Sequence, residues 1–187
     1  MKKEEFIEEL KQENYLYEIH GDKIIVTHDG TVDLENLKTL PPGVEFRNDG
    51  GVSLGSLKTL PPGVEFRNDG DVYLGSLETL PPGVEFRNDG DVYLGSLETL
   101  PPGVEFMNGG HVSLRSLKTI HSGVKFRNGG NVNLDSLKTL PSGVEFKNGG
   151  DVKLSGLGWV RDIKGIMIEG VENKRLLHLM ISKGLFV

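Results

Sequence analysis

The sequence predicts an all-β protein, a parallel β-solenoid of about seven coils of 20 residues with α-helical caps at both ends. Three observations carry this expectation. A 20-residue unit recurs without a gap in blocks 39–58, 59–78, 79–98, 99–118, 119–138 and 139–158. The unit is too rich in glycine and proline to hold a helix of ordinary length. Its apolar residues alternate in two short runs, as they do in strands with one buried face. Self-similarity at this period marks an array in which each unit buries its core only by stacking on its neighbours.

Taken in chain order, residues 3–13 predict a helix with Phe6, Ile7 and Leu10 on one side. A hairpin follows, Tyr15 to Ile19 and Lys23 to Val26, joined at His20-Gly21-Asp22. His28 to Leu34 is a partial copy of the unit. In a full coil, Gly63 to Arg67 sends Val64 and Phe66 inward, and Asp71 to Leu74 sends Val72 and Leu74 inward. Asn68-Asp69-Gly70 lies between them and, being residues that tolerate left-handed backbone, predicts the corner joining the strands. Leu77 and Leu80 form a third side, and Pro81-Pro82-Gly83 turns into the next coil. Asn48, Asn68, Asn88, Asn108, Asn128 and Asn148 share one corner position, which predicts a ladder of amides satisfying backbone groups. A degraded last coil holds Trp159, Ile163, Ile166 and Ile168, and residues 172–183 predict a second helix with Leu176, Leu177, Met180 and Ile181 on its apolar side. The whole chain is thus expected to be one domain: cap 1–23, solenoid 24–170, cap 171–187.

Charge is distributed unevenly. The net charge is −6, which disfavours non-specific nucleic-acid binding. Residues 1–98 carry 9 Lys+Arg against 20 Asp+Glu, whereas residues 99–187 carry 12 against 7. Stacked in order, the coils would form a rod with an acidic and a basic end. The chain has no cysteine, so neither disulfides nor thiolate metal sites are available. No apolar run reaches the roughly 18 residues of a membrane span, and the N-terminus is acidic where a signal peptide is apolar. A cytoplasmic protein with no membrane association is expected.

The motif Leu-x-x-Leu-Pro-x-Gly-Val-x-Phe-x-Asn-x-Gly-x-Val-x-Leu, as it stands from Leu97 to Leu114, resembles leucine-rich-like solenoid repeats of bacterial and bacteriophage proteins. The resemblance spans roughly residues 24–158. It departs from the common leucine-rich core, Leu-x-x-Leu-x-Leu-x-x-Asn, because a proline-glycine turn intervenes. A compact all-β coil is therefore expected in place of a horseshoe with outer helices. The resemblance implies a binding role in phage–host or host–microbe conflict, in the cytoplasm of a bacterium or phage-infected cell. It supplies no active residues.

Catalytic motifs are missing from the sequence: there is no phosphate-binding loop, no His-Glu-x-x-His and no Gly-x-Ser-x-Gly. The five histidines are scattered, and the Asn-Asp-Gly-Asp segments lack the order of a calcium loop. Glu45, Glu65, Glu85 and Glu105 should form a column beside Arg47, Arg67 and Arg87. A column of equivalent carboxylates gives none of them the individual environment that a catalytic acid needs. Neither enzyme activity nor a metal or cofactor is expected.

Two regions are candidates for binding a protein partner. Asp71, Tyr73, Asp91 and Tyr93 lie on the outward side of the second strand, where tyrosine suits an interface. Further on the unit departs from its pattern at Met107, His111, Arg115, His121 and Lys125, and the surface turns basic. The expected function is that of a non-enzymatic, protein-binding scaffold, an inhibitor or antagonist of a host or defence protein. An acidic nucleic-acid mimic is the alternative, and a carbohydrate-active β-helix enzyme the second. A monomer or small homo-oligomer is expected.

Overall fold

The computed structural model of the protein describes residues 1–156 and the strand Met167–Ile168. The helix expected over 172–183 lies outside the described residues, as do Trp159, Ile163 and Ile166. The chain opens with α1 (Lys3–Gln12), whose first turn carries Glu4 and Glu5, the sign that suits the positive end of the helix dipole. The Glu5 carboxylate also accepts the Lys2 N–H at 2.8 Å. The helix stops at Asn14, whose φ of 58° lets Asn14 and Tyr15 donate back to the carbonyls of Lys11 and Leu10. Phe6 and Leu10 are completely buried against the first coil.

An antiparallel hairpin, β1 (Tyr17–His20) and β2 (Lys23–Val26), comes next. From β2 onward every pairing is parallel. The first sheet runs from β2 through Val44–Phe46, Glu65–Phe66, Glu85–Phe86, Glu105–Phe106, Lys125–Phe126 and Glu145–Phe146 to Met167–Ile168. The second runs from Val32–Asp33 through Val52–Ser53, Val72–Tyr73, Val92–Tyr93, Val112–Ser113 and Val132–Asn133 to Val152–Lys153. A third side is less regular, and among the described residues it carries strands at Thr99–Leu100 and Thr119–Ile120 and a bridge between Thr59 and Thr79. The result is a parallel β-solenoid of about six turns with one short N-terminal helix.

The interior is a set of columns. Phe46, Phe66, Phe86, Phe106, Phe126 and Phe146 stack with centroids 5.1–5.5 Å apart and planes within 7°. In a representative coil Val104, Phe106, Val112, Leu114, Leu117 and Ile120 are all buried, matching the six inward positions expected from alternation. The asparagine ladder also forms. Asn88 donates from Nδ2 to the carbonyls of Gly90 in its own coil and Gly70 in the coil before. Asn68, Asn128 and Asn148 repeat this pattern.

The Asn-Asp-Gly segments turn the corner as expected. In the full coils positive φ falls at the glycine closing the proline turn, for example Gly83 with φ of 73°. At the asparagine corner glycine serves another purpose. A Cβ on Gly90 would lie 2.5 Å from the carbonyl carbon of Gly70 and 2.6 Å from the Asp71 nitrogen. Glycine is needed there because adjacent coils touch backbone to backbone.

The N-terminal edge of the second sheet is closed by a side chain. The Tyr15 hydroxyl accepts the Asp33 N–H at 2.9 Å and lies 3.2 Å from the Asp33 carbonyl, to which it donates. One phenol thus occupies both backbone groups that another strand would use.

Candidate binding face

On the second sheet the outward positions fall into columns. One contains Asp71, Asp91, His111, Asn131 and Asp151, and it is hydrogen-bonded along its length. Asp71 Oδ1 accepts the Asp91 N–H at 2.8 Å, and Asp91 Oδ1 accepts the His111 N–H at 2.6 Å. His111 Nδ1 accepts the Asn131 N–H, and Asn131 Oδ1 the Asp151 N–H, both at 2.7 Å. Each side chain therefore caps the backbone of the following coil. Because His111 accepts at Nδ1, its ring proton is placed on Nε2.

The next column reads Asp33, Ser53, Tyr73, Tyr93, Ser113, Asn133, Lys153. Tyr73 and Tyr93 stack with centroids 4.8 Å apart and planes 2° from parallel. Tyr73 is 43 % exposed. Each phenol donates to the second carboxylate oxygen of the aspartate two residues earlier, Tyr73 to Asp71 at 2.7 Å and Tyr93 to Asp91 at 2.8 Å. These hydrogen bonds, then burial and the nearby carboxylates, raise the Tyr73 pKa and push that of Tyr93 up to about 12. Both rings stay neutral donors at any physiological pH. In the column beyond, Gly75 and Gly95 carry no side chain to shield them, and Arg115 follows, exposed.

The structure divides the candidate residues among three places. Asp71, Tyr73, Asp91, Tyr93 and His111 form one continuous surface, with Arg115 at its basic border. His121 lies at a proline corner, where its Nδ1–H donates to the Leu100 carbonyl at 2.9 Å. Met107 and Lys125 lie on the first sheet, and their departures from the pattern compensate for each other. In ordinary coils an arginine pairs with the glutamate two residues before it, as Arg87 does with Glu85 at 2.7 Å. Met107 removes that cation from Glu105, and Lys125, in register with Glu105 on the next coil, forms an ion pair with it instead.

The first sheet also carries a cleft of which the repeat pattern shows no sign. Coils 59–78 and 79–98 are nearly identical in sequence, yet they pair in the first sheet only through Phe66 and Phe86, whereas the flanking coils also align their glutamates. Lys23 lies 2.6 Å from Glu65 and 3.7 Å from Glu45 and holds those two together. Its hydrogen bond is the main cause of the lowered Glu65 pKa. Between Glu65 and Glu85 the register pairing is lost. The cleft there, of about 340 Å³, is lined by Pro81, Pro82, Glu65, Arg67, Glu85 and Arg87, among others.

Among the described residues no cluster of His, Asp or Glu could hold a metal ion, and no helix is long and apolar enough to cross a membrane. Comparison with protein-family models, curated proteins and solved structures returned no match.

Proposed function

We propose that the protein is a non-catalytic, protein-binding scaffold that meets its partner through the Asp71–Tyr73–Asp91–Tyr93 face. The observation that carries this reading is the stacked tyrosine pair. Tyr73 is exposed and Tyr93 half-buried, and each ring is held by its neighbour and by a hydrogen bond to an aspartate that is itself anchored to the next coil. Large aromatic side chains that are fixed before binding lose little entropy on association, which is the property of an interface anchor. The aligned glutamate and arginine columns argue against a nucleic-acid mimic, because their ion pairs give the first sheet a surface of both signs. In line with the resemblance drawn from the repeat, the partner is a host or defence protein and the scaffold its antagonist.

Affinity capture from the cells that carry the protein tests this. Tyr73→Ser with Tyr93→Ser is the informative variant, since serine already occupies this column at Ser53 and Ser113. Glu85→Gln, on the other sheet, is the control. A protein retained by the wild type and the control but lost by the double variant is the expected result. Equal retention by all three would move the site off this face, and no specific retention would overturn the scaffold reading.

A further inference from the structure

The tyrosine stack ends abruptly on its acidic side. Tyr73 is followed in register by Ser53 and then by Asp33. At about 4.8 Å between neighbouring strands, Tyr73 and Asp33 are two strand spacings apart, with only a small side chain between them. The floor of this notch is Gly51, Ser53 and Gly55. A flat group placed over Ser53 would lie against Tyr73 as Tyr73 lies against Tyr93, whose separation is 4.8 Å.

The far wall is acidic and rigid. Both backbone groups of Asp33 are held by the Tyr15 hydroxyl. Its Oδ1 accepts the Glu35 N–H at 3.1 Å, and Asp33 is exposed. Glu35 leans over the notch, with its Oε1 3.5 Å from the place a Cβ on Gly55 would take. An aromatic face opposite two carboxylates, one strand spacing away on either side, is the environment of a planar cation. The other end of the stack differs: Tyr93 is followed by Ser113, bordered by Arg115, whose charge repels a cation.

We propose that the notch over Ser53 is an arginine slot: a guanidinium stacks on the outer face of Tyr73 and donates to Asp33 and Glu35. Guanidinium suits it better than ammonium because it is flat, donates in a fork and is more weakly hydrated. The partner of the scaffold would then present an exposed arginine to the acidic half of the chain. That last step rests on the function proposed above; the slot itself does not.

The probe is N-acetyl-arginine amide, titrated into the full chain and followed by amide NMR shifts, with the lysine and citrulline analogues alongside. Saturable shifts at Asp33, Ser53 and Tyr73 are expected, with lysine about tenfold weaker and citrulline silent. Ser53→Tyr, which fills the notch with the next ring of the stack, should abolish them. Asp33→Asn, which keeps the acceptor for Glu35 N–H, should weaken them about fivefold. Shifts that survive Ser53→Tyr, equal binding of lysine, or no saturable shift at all would overturn the slot. A working slot together with partner capture that ignores the tyrosines would leave the slot standing and remove the proposed function alone.

Discussion

At the scale of single residues, the asparagine corner shows how a side chain is chosen by what it must donate to. Asn88 Nδ2 faces carbonyls of two coils, while the Oδ1 atoms of all six ladder asparagines are buried and accept nothing. The position requires a buried donor. Alanine there would remove one of the donors to each carbonyl, although Asn68 still serves Gly70 and Asn108 still serves Gly90, and would cost about 1 kcal/mol. Aspartate, nearly the same shape, would set a carboxylate against those carbonyls and cost more. Urea unfolding of Asn88→Ala and Asn88→Asp should therefore rank Asp below Ala and both below wild type. The reverse order would mean that shape, not donation, selects asparagine.

At the scale of elements, the strands of the first sheet are too short to specify their neighbours by length, and charge register contributes to doing so. The exchange of Arg for Met107 and of Glu for Lys125 shows this directly, since an ion pair within a coil becomes one between coils. Restoring only the second position, Lys125→Glu, would set a third carboxylate in register between Glu105 and Glu145, with no arginine at 107 to help. A loss of about 1 kcal/mol is expected. Adding Met107→Arg should recover most of it. A double-mutant cycle by denaturant unfolding measures the coupling, and additive effects would show that the two departures are unrelated.

At the scale of the whole molecule, an array of this kind is only as firm as its ends, because each coil contacts just its neighbours. The N-terminal end is covered by α1, closed on the first sheet by β1 and on the second by Tyr15. Phe6→Ala should open this end, at about 3–5 kcal/mol. Hydrogen exchange should show the loss first in the strands Val44–Phe46 and Val52–Ser53 and last in the middle coils. Uniform loss of protection along the chain would mean that the solenoid unfolds as one unit.

The coil itself follows from the order of residues. The period of 20 sets the register, alternation sets which side chains turn inward, and asparagine with proline-glycine sets the corners, because each of these depends only on neighbours along the chain or one repeat away. The exposed tyrosine column is legible for the same reason. The conformation of the corner glycines is not, since it depends on how closely two coils approach. Nor is the exchange between Met107 and Lys125, which reads as drift toward a basic surface until the stacking places Lys125 beside Glu105. The cleft between two near-identical coils and the notch over Ser53 arise only once the coils are stacked. Both depend on what stands one coil above and below, the notch also on the hydroxyl of Tyr15 fixing Asp33 two strands from Tyr73.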